Sequence, residues 1–211
     1  VLLKQFDEKL AVNLIESEYL TYFGSFPPVL ERVLDTAKES GSVLESLKLV
    51  YGLEGAENIN RLQVETGAVF WTGFGQAETT AFVTASPASE CPGASGRPTL
   101  INSVSVVNEV DEHLSTGEEG EIVVRGENVF LEYWNMPDAT EYAHRNGWHH
   151  TGDIGRFDEE GYLWYVKRKA EKELIKSGGE NVYPGEVETV LLKHPQIEDC
   201  CVIGVPDKTW G

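Results

Sequence analysis

The chain has 211 residues, of which 41% are hydrophobic and 25% are charged, a composition typical of folded domains. Its formal net charge of −18 argues against a nucleic-acid partner or an anionic membrane surface, because phosphate polyanions attract an excess of Lys and Arg. No apolar run is long enough for a transmembrane helix, and three cysteines, two of them adjacent, favour a reduced cytoplasmic protein over a disulfide scaffold.

Strands and helices alternate over residues 1–100, which predicts an α/β arrangement. Gly55 falls in a strand-to-helix loop of this pattern, and such loops bind ligands in open α/β sheets. The predicted strands are 1–6, 19–24, 47–51 and 68–72, and the predicted helices are 7–18, 27–39 and 57–65.

The texture changes over residues 101–168, where short β runs are separated by Gly, Asp and Glu, and this indicates an appended β subdomain. A charged segment then leads into residues 169–211, for which the pattern predicts a helix at 184–194 and a strand at 199–205. Cys200 and Cys201 would lie buried in that last strand.

Three features between residues 147 and 188 indicate a nucleotide site. Asp153 offers two acceptor oxygens, which suit the two hydroxyls of a ribose. Arg168 follows a strand-like stretch and supplies a planar fork of donors for ribose or phosphate oxygens. Gly178 and Gly179 leave the backbone open to close approach by a thin, extended ligand.

Each feature also has an ordinary structural explanation. Thr-Gly-Asp and Gly-Gly are common turns, and an Arg among Lys and Glu usually lies on a solvated surface. The order and spacing of the three favour the nucleotide site. His149 and His150 lack the helical spacing of a zinc site, so structural roles are favoured for them. Phe70, Trp71 and Phe74 fit an acyl pocket or a plain core equally well.

Short motifs follow one another along nearly the whole chain in a specific order. The early ones are Gly55-Ala56, Phe74-Gly75-Gln76-Ala77-Glu78, Gly96-Arg97-Pro98, the run GEIVVRG at 120–126 and Tyr133-Trp134-Asn135. The later ones are Gly147-Trp148, His150-Thr151-Gly152-Asp153, Gly161-Tyr162, Arg168, the run IKSGGENVYP at 175–184 and Glu186-Val187-Glu188. In these motifs the chain resembles the adenylate-forming, AMP-binding superfamily, and the acyl-CoA synthetases and fatty-acid–CoA ligases in particular.

The resemblance implies an α/β fold in which residues 1–168 end the large AMP-binding domain and residues 169–211 begin the small α+β C-terminal lid domain. It implies a two-step reaction with a carboxylic acid, ATP, Mg²⁺ and coenzyme A. The acid attacks the α-phosphate to give acyl-AMP and pyrophosphate, and the CoA thiol then displaces AMP.

The resemblance also implies roles for individual residues. Glu78 would hold Mg²⁺, as a hard cation prefers oxygen ligands. Asp153 would accept the ribose hydroxyls, and Arg168 would contact ribose or phosphate. Glu78 and Arg168 are therefore the catalytic candidates that the resemblance implies. The remaining cofactor contacts are Gly55 and Ala56 around the base, Phe74 stacked on adenine beside Gly75, and Gly178 and Gly179 along the pantetheine passage.

The sequence departs from the family pattern at several points. Ala77 stands where the pattern has Thr, and the stretch after Arg168 is about two residues longer than usual, so Ala170 and Glu171 are both candidates for the hinge. No phosphate loop is recognisable upstream, and Lys208 is too early to be the family's late lysine. We therefore expect the chain to be an internal piece of a longer enzyme, and we expect this piece alone to be catalytically inactive.

Two other hypotheses remain open at the level of sequence. One is a nucleotide-binding or partner-binding domain that has lost catalysis, and the other is an amino-acid adenylating or luciferase-like member of the same superfamily. The identity of the acid and the oligomeric state do not follow from these motifs.

Overall fold

The computed structural model describes residues 5–169, 175–177, 180–194 and 196–207. Its first part is a five-stranded sheet of order β1-β2-β3-β4-β5, in which β1, β2 and β3 are parallel and β4 and β5 are antiparallel additions. The strands are β1 Tyr22–Ser25, β2 Leu49–Gly52, β3 Val69–Gly75, β4 Phe82–Pro87 and β5 Arg97–Pro98. The helices are α1 Glu8–Ser17, α2 Val29–Ser40 and α3 Ala56–Thr66.

Local chemistry explains where these helices begin and which side they bury. The Asp7 side chain accepts a hydrogen bond from the Leu10 N–H at 2.8 Å and so caps α1. The buried side chains of α2 recur at the i, i+3, i+4, i+7 spacing of one helix face, and they are Leu30, Val33, Leu34 and Ala37. The α/β prediction is confirmed here. The strand predicted at 1–6 is wrong for Gln5 and Phe6, which lie outside any strand, and residues 1–4 lie outside the described residues.

A second sheet of order β6-β7-β8-β9 lies within residues 101–168, where the sequence predicts a β subdomain, and it is antiparallel throughout. Its strands are β6 Asn102–Val107, β7 Gly120–Gly126, β8 His149–Phe157 and β9 Leu163–Arg168, and a short helix α4, Pro137–Ala143, precedes β8. The two sheets share one hydrophobic cluster, formed by Phe74, Val83, Ile122, Val124 and Leu163. This packing brings the carboxyl end of β3 next to β8.

The described residues after 169 form an antiparallel pair of strands, β10 Ile175–Ser177 and β11 Glu180–Val182, and the helix α5 Pro184–Leu191. The strand predicted at 199–205 is wrong, since those residues have no regular structure, and Cys200 is half-buried and Cys201 exposed. The segment contacts α5 instead: the Val202 N–H donates to Glu188 Oε1 at 2.8 Å. No helix within the described part of the chain is long and apolar enough to cross a bilayer.

Candidate functional site

Asp153 and Arg168 face each other across two paired strands. The register of β8 and β9 places Asp153 opposite Arg168, and Arg168 Nη1 lies 3.8 Å from Asp153 Oδ1. The Asp153 side chain is 5% exposed, whereas that of Arg168 is 40% exposed. A buried acceptor therefore lies beside a donor that solvent or a ligand can reach.

Gln76 connects the motif after β3 with the motif in β8. Its Nε2 donates to Asp153 Oδ2 at 2.5 Å and to the Thr151 carbonyl at 2.9 Å, and its Oε1 lies 3.2 Å from His149 Nε2. These contacts span 73 to 77 residues of sequence. The sequence predicts no role for Gln76, because motif spacing carries no information on which distant strand a side chain meets.

Glu78 lies close by, in a single turn of 3₁₀ helix at Ala77–Thr79. Its carbonyl accepts the Phe130 N–H at 2.7 Å, and its Oε1 accepts the hydroxyl of Tyr133 at 2.9 Å. Burial and the Glu78 carboxylate raise the pKa of Tyr133 to about 12, against an opposing effect of the Arg168 charge. Tyr133 therefore stays a hydrogen-bond donor at neutral pH, and its hydroxyl links Glu78 to the surroundings of Arg168.

Phe74 and Gly75 form the end of β3. The Phe74 side chain is buried in the cluster shared by the two sheets, at 8% exposure, so stacking of adenine on its ring stays a prediction. A Cβ on Gly75 would lie 2.3 Å from the Ala81 carbonyl oxygen, so only glycine fits where β3 and β4 meet. The strand thus needs this glycine to bring Gln76 and Glu78 to the site.

Gly55 and Ala56 lie at the neighbouring strand end. Gly55 follows β2 and precedes the first turn of α3, and both residues are exposed. Because β2 and β3 are parallel, their carboxyl ends lie at one edge of the sheet, which places this loop on the same side as Gly75. Gly178 and Gly179, and the hinge candidates Ala170 and Glu171, lie outside the described residues.

The two adjacent histidines of β8 are buried and point to different partners. His149 lies at Gln76, whereas His150 Nδ1 is 3.0 Å from Glu121 Oε2. Both therefore make internal hydrogen-bonding contacts, in keeping with the structural roles favoured for them. Of the predicted residues that the structure describes, Glu78, Asp153 and Arg168 gather around Gln76 and Tyr133, and Gly55, Ala56, Phe74 and Gly75 lie along the adjoining sheet edge.

Comparisons with known proteins place the chain in one family. The family model "AMP-binding enzyme" matches residues 1–134, and "AMP-binding enzyme C-terminal domain" matches residues 186–211. The medium/long-chain-fatty-acid–CoA ligase FadD8 of Mycobacterium tuberculosis is 34% identical over all of this chain and 38% of its own length. Feruloyl-CoA synthase of an Amycolatopsis species is 34% identical over all of this chain and 44% of its own.

A solved structure with the same fold is the o-succinylbenzoate coenzyme A synthetase of Bacillus subtilis in complex with ATP and magnesium ion. It is 29% identical with a TM-score of 0.74, and the match covers all of this chain and 44% of that one. The chain thus spans about two fifths of the length of the relatives it matches.

Proposed function

Because the chain belongs to the AMP-binding enzyme family, we propose that it forms part of a carboxylate:CoA ligase of the AMP-forming, acyl-CoA synthetase type. Such an enzyme activates a carboxylic acid with ATP and Mg²⁺ to acyl-AMP and then transfers the acyl group to coenzyme A. The observation that carries this proposal is the convergence of Asp153, Arg168 and Glu78 around Gln76 and Tyr133. The coenzyme A ligases among its relatives support the same reaction class.

The Asp153–Arg168 pair suits the sugar end of a nucleotide. The Asp153 carboxylate is buried and held on one side by Gln76, and a carboxylate is an acceptor with about four positions, the chemistry that the two hydroxyls of a ribose require. At 3.8 Å from Asp153, Arg168 makes a loose ion pair, and its exposed fork can turn to ribose or phosphate oxygens. We therefore assign Asp153 to the ribose and Arg168 to the sugar–phosphate junction.

Glu78 suits a magnesium ligand that is completed by the nucleotide. Mg²⁺ takes few protein carboxylates and fills its octahedron with phosphate oxygens and water, so a single carboxylate beside a triphosphate is sufficient. When bound, the ion offsets the charge that develops on the leaving pyrophosphate. The net charge of −18 makes such compensation more necessary for a polyanionic substrate. Tyr133 would hold the Glu78 carboxylate in one orientation.

The edge of the first sheet would receive the adenine base. Coenzyme A would approach from the side of the C-terminal domain, residues 169–211. Gly55 and Ala56, together with the end of β3 at Phe74 and Gly75, would border the adenine. Gly178 and Gly179 would border the pantetheine arm of coenzyme A. We propose a carboxylic acid as the acyl donor without restricting its chain, since the relatives include ligases for fatty and for aromatic acids.

One observation favours a second candidate. Ala77 stands where the family motif has Thr, so the hydroxyl expected near the phosphates is absent. A domain that binds nucleotide and has lost adenylation would retain Asp153 and Arg168 and tolerate this change. The two candidates differ in turnover and agree in AMP binding.

Calorimetric titration of the chain with AMP tests the site directly. We expect Asp153→Ala to weaken AMP binding roughly ten- to hundredfold, because each lost hydrogen bond to a charged group contributes about 1.5 to 3 kcal/mol. Asp35→Ala removes the same charge at an exposed ion pair of α2 and should leave the affinity unchanged. Wild-type affinity in Asp153→Ala would remove this residue from the site.

Pyrophosphate exchange on the full-length protein, across a panel of fatty, aromatic and amino acids, then separates the candidates. Exchange that depends on one class of acid supports the ligase and identifies its substrate. AMP binding without exchange for any acid supports the domain that has lost catalysis.

A further inference from the structure

Glu121, in β7, is a buried carboxylate that meets four nitrogen donors. It is 5% exposed. Its Oε1 accepts the Gly152 N–H at 2.9 Å, and its Oε2 lies 2.8 Å from Lys169 Nζ and 3.0 Å from both His150 Nδ1 and Arg145 Nη2. A buried carboxylate is costly unless it is paired and hydrogen-bonded, so this group depends on its donors and restrains them in return.

Two of these donors are chain neighbours of the proposed nucleotide contacts. Gly152 precedes Asp153, and Lys169 follows Arg168. The same two residues are joined by their backbones, since the Lys169 N–H donates to the Gly152 carbonyl at 2.9 Å. One carboxylate therefore holds both strands at the point where Asp153 and Arg168 face each other.

The residues around Asp153 and the residues around Glu121 lie on opposite faces of the second sheet. Side chains alternate along a strand, so Arg168 and Lys169 point to different faces. His149 contacts Gln76 on the face of Asp153, whereas the next residue, His150, contacts Glu121 on the other face. The Lys169–Glu121 pair and the Arg168–Asp153 pair thus lie on opposite faces of the sheet at the same strand end.

We propose that Glu121 is a positioning residue of the nucleotide site, whose buried ion pair with Lys169 fixes the end of β9 so that Arg168 faces Asp153. A shift of one residue at this strand end would carry Arg168 to the opposite face, and it would also withdraw Lys169 from Glu121. The cost of leaving that carboxylate without its cation opposes such a shift. The part of this inference that concerns nucleotide rests on the proposed function.

Lys169 offers the cleaner test, because its side chain is 26% exposed and its removal leaves Glu121 with three donors. Lys169→Met keeps a long unbranched side chain without charge, and Lys169→Arg keeps the charge. Arg61→Met is the matched control, since it breaks ion pairs with Asp35 and Glu65 on the surface of α3, away from the second sheet.

Amide hydrogen exchange of the 211-residue chain without nucleotide reads the strand end directly. We expect Lys169→Met to accelerate exchange at residues 168 and 169 by roughly tenfold or more, whereas amides of β1 to β3 exchange as in the wild type. AMP affinity should fall by roughly tenfold in Lys169→Met. Lys169→Arg should keep most of the wild-type exchange protection and most of the wild-type affinity. Arg61→Met should change neither.

Hydrogen exchange and AMP titration test different parts of the proposal. Unchanged exchange at residues 168 and 169 in Lys169→Met would overturn the ion pair as the restraint on β9, whatever the nucleotide does. Faster exchange with wild-type AMP affinity would overturn its role in positioning Arg168. Wild-type protein that binds no AMP would overturn the proposed function, and the exchange result would still decide the restraint.

Discussion

Gln76 places its side-chain amide between two motifs that are far apart in the sequence. An amide carries both donors and acceptors, so Gln76 can donate to Asp153 and Thr151 while it accepts from His149. The hydrogen bond from Gln76 restrains the orientation of the Asp153 carboxylate. Gln76 therefore holds in place the carboxylate for which we propose the ribose contact.

We expect Gln76→Leu to weaken AMP binding roughly tenfold, because leucine keeps the volume and loses the donor to a charged acceptor, which is worth about 1.5 to 3 kcal/mol. Gln63→Leu makes the same exchange on the exposed surface of α3 and should have no effect on affinity. Titration calorimetry with AMP compares the three proteins. Equal affinity in all of them would show that Asp153 needs no support from Gln76.

Glu78→Gln tests the magnesium role without disturbing the neighbouring hydrogen bond. The glutamine oxygen can still accept the Tyr133 hydroxyl, so the substitution removes charge and little else. We expect the Mg²⁺ concentration for half-maximal pyrophosphate exchange to rise by roughly tenfold in the full-length protein, because a neutral amide is a weaker ligand for a hard cation. Glu39→Gln, at an exposed position of α2, should titrate like the wild type, and an unshifted Glu78→Gln curve would take Glu78 out of the metal site.

Strand ends determine where the first sheet can bind a ligand. β1 and β2 pair in parallel up to Ser25 and Gly52, and the loop with Gly55 begins just beyond. Gly52 has a φ of +154°, and a Cβ there would lie 1.6 Å from the Ser25 carbonyl oxygen. The close approach of these two strands therefore requires glycine at this position.

Gly52→Ala should lower the free energy of unfolding by about 2 to 4 kcal/mol, since it combines an unfavourable φ with a steric clash against backbone. Gly24→Ala, in the adjacent strand, is the matched control, because no heavy atom lies within 4 Å of its added Cβ. Urea unfolding followed by circular dichroism measures both. Indistinguishable midpoints for the two variants would mean that the strands can separate at little cost.

For the molecule as a whole, the site exists because two sheets share one core. Phe74 and Val83 of the first sheet pack with Ile122, Val124 and Leu163 of the second. The backbone of residues 95 and 96 also bonds to Leu163, at 2.7 and 2.8 Å. These contacts hold the two sheets in one orientation, in which the segment after β3 brings Gln76 to Asp153 and Glu78 to Tyr133.

The pH dependence of stability should report on the buried charge cluster of the second sheet. Burial by itself would raise the pKa of Glu121, but hydrogen bonds from His150 and Lys169, the Lys169 charge and the Gly152 N–H outweigh it and lower the pKa to about 2. Because the folded pKa lies below the usual 4.5, this stabilisation is present above about pH 5 and is lost as the pH falls towards 2.

The gap between the usual pKa of 4.5 and the lowered pKa of Glu121 corresponds to about 3 kcal/mol of folding free energy. Urea unfolding of the wild type between pH 7 and pH 2.5 should show most of this loss, and Glu121→Gln should be less stable at pH 7 and lose correspondingly less stability as the pH falls. Glu57→Gln, at an exposed position of α3, should follow the wild type. Parallel curves for wild type and Glu121→Gln would place the acid sensitivity elsewhere.

Local pattern was sufficient for most elements and for the family. The spacing of apolar residues on α2 and the short apolar runs of β6 and β7 depend only on near neighbours, so the order of helices and strands could be predicted from the chain. The motifs that contain Glu78, Asp153 and Arg168 likewise carried the assignment to AMP-binding enzymes. The strand predicted at 199–205 failed because a strand also needs a neighbour to bond with, and that segment bonds to Glu188 of α5 instead.

Tertiary structure alone decided which side chains meet. No periodicity indicates that Gln76 would reach Asp153 across 77 positions, that Tyr133 would donate to Glu78, or that Glu121 would hold Lys169. Such contacts depend on the packing of one sheet against another and on the register of β8 with β9, both of which are set by many residues at once. The amino-acid sequence by itself thus determined the kinds of groups available to the site, and the packed fold determined their partners, because hydrogen bonds between distant segments form only where the chain returns to itself.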